Sequence, residues 1–190
     1  MEKRWIKAAT ILQPSIEVCG KRLLPFCLRH RVALEAIDSP VLDPNKPVTP
    51  KHLVAAVKIL SSRTLDEVTT GATLRERFWV SRMQFDINIL IAETAKLVAY
   101  LDSQALWPRF WEKDGGVNKS GIPWQLVVIA SLTRNGCTLE EAWTMPEAEA
   151  IWMHTAHSAC LGAEISVISD ADWEAIQKHK KQPNQDNIRN

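Results

Sequence analysis

The chain has 190 residues, which at ~150 residues per domain suggests one domain, or one with a small appendage, long enough to bury a core without staples. With 46% hydrophobic and 24% charged residues, 7 Gly and 10 Pro, it reads as an ordinary soluble globular protein, and collagen-like and linker-dominated classes are excluded. A formal net charge of +1 argues for neither nucleic acid nor a membrane surface as partner.

The first stretch, MEKRWIKAATILQPS, carries charges, but its apolar run is broken by Lys7 and ends at Gln13-Pro14, which makes a poor signal peptide. Residues 16–26, IEVCGKRLLPF, are ambiguous; two short strands around Cys19-Gly20 are one reading, since Gly supports a tight turn. Over 28–37 the pattern is helical, with Leu28, Val32, Ala33, Ala36 and Ile37 on one side, and Ser39-Pro40 ends it. Four prolines in 40–50 mark a loop. Thr49 as N-cap and Pro50 at the first helical position start a helix to about Leu60.

Thr64-Leu-Asp-Glu67 is a capping box before a short helix ending at Gly71, and Thr73-Leu-Arg-Glu76 repeats it. One long helix is expected over 74–103. Its second half, INILIAETAKLVAYL, is apolar on most of its circumference, which predicts the most buried helix of a bundle. WPRFWEKDGGVNKSG, 107–121, reads as a long loop. Pro123 opens a helix to about Asn135, stopped by Gly136. Thr138-Leu-Glu-Glu141 starts a short helix to about Thr144; Met145-Pro146 breaks it and starts another, closed by Gly162. Ser169-Asp-Ala-Asp172 caps a last helix to about His179, and QPNQDNIRN follows as polar chain. The expected fold is all-α: an irregular helical bundle with one long central helix and room for a small N-terminal β-hairpin, as a single domain over 1–180 with a disordered polar tail over 181–190.

The longest charge-free apolar stretch, 121–133, is short of the ~20 residues a membrane-spanning helix needs. Cys19, Cys27, Cys137 and Cys160 have no C-x-x-C spacing, which points to free thiols and a cytoplasmic protein. Charge is polarised along the chain. Residues 1–35 hold seven Lys/Arg and three Glu, net +4, whereas 138–177 hold eight acidic residues and no Lys or Arg, net −8. Such polarity serves either head-to-tail self-association or pairing of the two segments within one fold.

HTAHSAC, 154–160, holds three candidate metal ligands. His154, His157 and Cys160 are three residues apart at each step, so ~60° of rotation accumulates twice and the three do not share a face. Two exposed histidines and one core thiol are expected, with no metal and no cofactor. No nucleotide-binding, nucleophile-elbow or zinc-protease pattern is present, so an enzyme with a small-molecule substrate is not expected. Residues 124–161 have the rhythm of a helix-turn-helix, but Glu140, Glu141, Glu147 and Glu149 would repel a duplex, which excludes nucleic acid through this segment. Of eight tryptophans, most sit in helical contexts and suit packing. Trp107, Arg109, Phe110 and Trp111 instead cluster in the loop, as a candidate protein-interaction site or as rings folded back onto the bundle.

The stretch 122–165 combines an apolar helix (124–134), the turn Asn135-Gly136, the short Leu139-Glu140-Glu141 helix, the Met145-Pro146 break and a helix carrying Trp152. This pattern resembles tail assembly chaperone-like proteins of tailed bacteriophages and prophages, and KRLLPFCLRHRVALEAI, 21–37, resembles the front of such proteins. The resemblance implies a non-enzymatic assembly factor in the bacterial host cytoplasm. Its partners would be phage tail proteins: the tape measure protein, bound before tail-tube subunits polymerise around it. The alternative it leaves is a structural virion component, a head-tail connector or tail completion protein; an unrecognised enzyme is the third.

Overall fold

A computed structural model describes residues 3–10, 16–43, 45–111 and 121–181. Helix α1 (Lys3–Ala9) precedes a hairpin of β1 (Glu17–Val18) and β2 (Lys21–Arg22), antiparallel with Glu17 opposite Arg22. Next come α2 (Leu28–Ala36), a 3-10 turn at Pro40–Leu42, α3 (Pro50–Ser61), α4 (Leu65–Thr69), α5 (Leu74–Phe85) and α6 (Ile87–Gln104). The second half holds α7 (Trp124–Arg134), α8 (Leu139–Thr144), α9 (Glu147–Cys160) and α10 (Asp170–Lys181). The fold is therefore all-α with one small N-terminal hairpin, as the sequence predicts.

Local chemistry explains most boundaries. The hydroxyls of Thr49, Thr64, Thr73 and Thr138 each accept a hydrogen bond from the backbone N–H three residues on. At Thr73 and Thr138 the third-position glutamate reaches back to complete the capping box. The hairpin turn places Cys19 at φ 48° and Gly20 at φ 67°, the sign pattern of a type I′ turn. Glycine at the second position relieves the steric cost of that conformation and leaves room for the Arg75 guanidinium, which donates to the Gly20 carbonyl.

Two apolar cores form. The larger joins the hairpin, Leu34 of α2, the buried face of α3, Met83 of α5, and Leu90, Leu97 and Tyr100 of α6. The smaller joins Leu28 of α2 to Val128, Ile129 and Leu132 of α7, Ala142 of α8 and Ala150 of α9. Helix α2 contributes to both and lies at their joint.

Five expectations are corrected. The helix expected over 74–103 is two helices. Asp86 adopts extended backbone, and its carboxylate accepts from the Asn88 N–H at 2.9 Å, so it caps α6 and ends α5. The most buried helix is α3, with Leu53, Val54, Ala56, Val57, Ile59 and Leu60 inside. On α2 the buried positions are Leu28, His30 and Leu34, while Val32 and Ile37 are exposed, because this helix is wedged between two cores instead of lying flat on one. Cys160, expected in the core, is exposed, and His154 and His157 are half-buried, because α9 packs through Ala148, Ala150 and Thr155. Residue Lys181, expected in the tail, ends α10; 182–190, with loop residues 112–120, lie outside the described residues.

Candidate functional site

The joint between the two cores is built around Arg31. Its guanidinium donates through Nη2 to Glu147 Oε2 at 2.9 Å and through Nε to Oε1 of the same carboxylate. The planar cation also faces three aromatic rings: Phe26 at 5.1 Å, Trp124 at 5.8 Å and Trp107 at 5.9 Å. The neighbouring backbones are fastened as well. Cys27 and Pro146 form an isolated bridge, and the Glu147 N–H donates to the Phe26 carbonyl at 2.7 Å. Burial lowers the proton affinity of Arg31, but the hydrogen bond and charge of Glu147 outweigh it and raise its pKa above the ordinary value, so Arg31 stays charged. Burial pushes the Glu147 carboxyl up, and Arg31 offsets that only in part. Nearby, Arg29 pairs with Glu140 at 2.6 Å. Two cations of the basic N-terminal segment thus pair with two anions of the acidic segment inside the fold.

From this joint an apolar groove of about 670 Å³ runs between the 3-10 turn and α6. Phe26, Arg31 and Trp107 line it at one end, and Val41, Leu42, Val48, Leu97, Val98 and Leu101 line its length. A second depression of about 650 Å³ continues it along α6 over Ile87, Ile91, Thr94 and Ala95; the two share Val48, Thr94, Val98 and Asp102.

Helix α6 carries two seams. Leu90, Glu93, Leu97, Tyr100 and Gln104 are buried. Tyr100 donates to the Leu24 carbonyl at 2.6 Å, the Glu93 carboxylate accepts from the Cys19 N–H at 2.6 Å, and Gln104 Oε1 accepts from the Phe26 N–H at 3.2 Å. Each polar member of this seam is therefore satisfied, as burial requires. The other seam, Ile87, Ile91, Thr94, Val98 and Leu101, repeats at four- and three-residue steps and points about 100° away around the helix. Ile87 and Ile91 are each 61% exposed and Val98 is 50% exposed, while Thr94 and Leu101 are half-buried, Leu101 against the larger core. The apolar composition of 87–101 is thus explained by two faces, one packed and one open.

The loop residues singled out from sequence do not form one cluster. Trp107 is half-buried at the end of the groove beside Arg31. Arg109 turns the other way and stacks on Trp173 of α10 at 4.1 Å, while its carbonyl accepts from the Ile168 N–H at 2.8 Å. Phe110 is bridged to Val167, and the Trp111 N–H donates to the Ser166 carbonyl at 3.3 Å. The 105–111 segment is thereby strapped to the lead-in of α10, with the Phe110 and Trp111 rings still about half exposed. Among the described residues no three His, Cys, Asp or Glu side chains are grouped to hold a metal ion, and no helix is long and apolar enough to cross a membrane.

Sequence reasoning missed both the open seam and the arginine joint. A signal for the seam is present in the 87/91/94/98 spacing. For the joint there is none, since Arg31 and Glu147 lie 116 residues apart. The arrangement defines an all-α protein with an uncovered apolar helix face. No protein-family model matches the chain, and no curated protein or solved structure matches it.

Proposed function

We propose that the chain is a non-enzymatic binding protein that covers an apolar helix of another protein. The observation that carries this reading is the open seam of α6 with the groove beside it. An exposed heptad-spaced stripe is a surface on which a second amphipathic helix packs by the geometry of a coiled coil. Contiguous apolar surface of this kind marks interaction sites on soluble proteins. The tail-assembly part of the proposal rests on the resemblance of 122–165. In that setting the chain acts in the bacterial cytoplasm, and the covered helix belongs to the tape measure protein, whose apolar faces would aggregate before tail-tube subunits enclose them. Trp107 closes the groove at one end, and the exposed rings of Phe110 and Trp111 provide further contact. Co-expression with a phage tape measure protein tests the proposal. The expected result is a soluble complex that survives size-exclusion chromatography and is missing from finished particles. Recovery of the chain in the particle would make it a virion component, and absence of any complex would refute the reading.

A further inference from the structure

A second surface, on α3 and α5, combines exposed apolar side chains with a surplus of cations. Helix α5 leaves Leu74, Phe78 and Phe85 84%, 58% and 90% exposed. Their spacing of four and seven residues puts them on one face. Arg77 lies on one side of that stripe and Arg75 and Arg82 on the other. Beside it, across the edge formed by Arg77, Ser81 and Gln84, a groove of about 410 Å³ runs between α3 and α5 over a floor that includes Val54, Ala55 and Val80. Three cations line the groove: Lys51, Lys58 and Arg77. Its one lining carboxylate, Glu76, is buried, bonded to Lys21 at 2.7 Å and to the Thr73 N–H at 2.9 Å. The rim is left with a surplus of positive charge above an apolar floor.

We propose that the α3–α5 groove and the adjoining stripe of Leu74, Phe78 and Phe85 dock an acidic amphipathic helix of a partner protein. The surplus of cations selects carboxylates, and the exposed aromatic and aliphatic side chains select an apolar face between them. A groove between two helices receives the side-chain ridge of a third, whereas a flat anionic bilayer leaves such a concavity empty. This site is separate from the α6 seam, so the inference stands or falls independently of the tail-assembly reading.

The test uses the full chain and a fluorescein-labelled peptide of about 18 residues built from Leu, Ala and Glu with one apolar stripe. The comparison ligands are the same peptide with Lys for Glu, and phosphatidylglycerol vesicles. Fluorescence anisotropy should show binding of the acidic peptide that weakens with salt, and little binding of the basic one. The K51E/R77E double variant should lose about tenfold or more in affinity. It should melt with wild type, since neither side chain belongs to the core. The I91D/V98D variant, altered on α6, should bind the acidic peptide normally. Equal binding of both peptides, binding of vesicles without the acidic peptide, loss through the α6 variant instead of the groove variant, or self-association abolished by K51E/R77E would each overturn the proposal.

Discussion

His30 ties the start of α2 to the end of α3. Its Nδ1 accepts from the Cys27 N–H at 3.4 Å, and its Nε2 lies 3.3 Å from the Ser62 carbonyl, an arrangement that suits the neutral ring with its proton on Nε2. Burial holds its pKa below the usual 6.5. Below pH 6.5 the unfolded chain therefore takes up a proton that native His30 refuses. Its share of stability is full above that pH and is lost as pH falls toward the native value. His154 is also lowered, first by burial and then by His157, so the assignment needs a difference measurement. The urea midpoint of wild type should fall as pH drops below 6.5, and His30→Asn should flatten part of that fall. An unchanged slope in the variant would remove His30 from the explanation. The thiols make a second residue-scale prediction. Burial pushes Cys19 up to about 12, with the Glu93 charge adding to it, and burial raises Cys27 as well, whereas Cys160 is exposed. Native protein should react fastest with a thiol reagent at exposed Cys160, with half-buried Cys137 slower, and Cys160→Ser should remove the fast phase. Fast labelling of Cys19 or Cys27 would contradict the packing of the hairpin.

At the scale of elements, α6 makes a prediction from neighbouring residues. Leu97 is buried in the large core and Val98 is half exposed on the open seam. Leu97→Ala should destabilise by about 2–5 kcal/mol through the cavity it leaves. Val98→Ala should stay within about 0.5 kcal/mol, as for surface substitutions. Denaturant melts of the two variants check this, and equal losses would mean the seam is covered. Helix boundaries were legible in the sequence because a cap is a contact between residues three apart: Thr49, Thr64, Thr73 and Thr138 announce their helices, and Gly20 announces the hairpin. Asp86 carries the same signal but sits inside an apolar run, where periodicity on both sides favours one continuous helix. Which side of α6 would stay open was not legible. An apolar helix has two equivalent-looking stripes, and the choice between them is made by α5 together with the hairpin and α3, the last two remote in sequence. The faces of α2 and α9 were misread for the same reason.

At the scale of the whole molecule, the two cores meet through α2 and the Arg31–Glu147 pair. Removing one partner leaves the other charge buried, so Arg31→Ala should cost about 3–5 kcal/mol. A volume-matched apolar replacement of both, R31M/E147L, should recover most of that loss. Chemical denaturation of the single and double variants measures it, and a mild single-variant effect would show that the joint is held by its backbone contacts alone. Beside the joint, the α6 face leaves Ile87, Ile91 and Val98 exposed. That open face is what a partner helix would cover. The most direct measurement is capture of the proposed partner, a tape measure protein, by I91D/V98D beside wild type, with a thermal melt of each chain alone. Wild type should capture the tail protein and the variant should not, while the two melt together. A variant that captures normally, or one that loses capture only because it unfolds early, would contradict the assignment of α6 as the binding face.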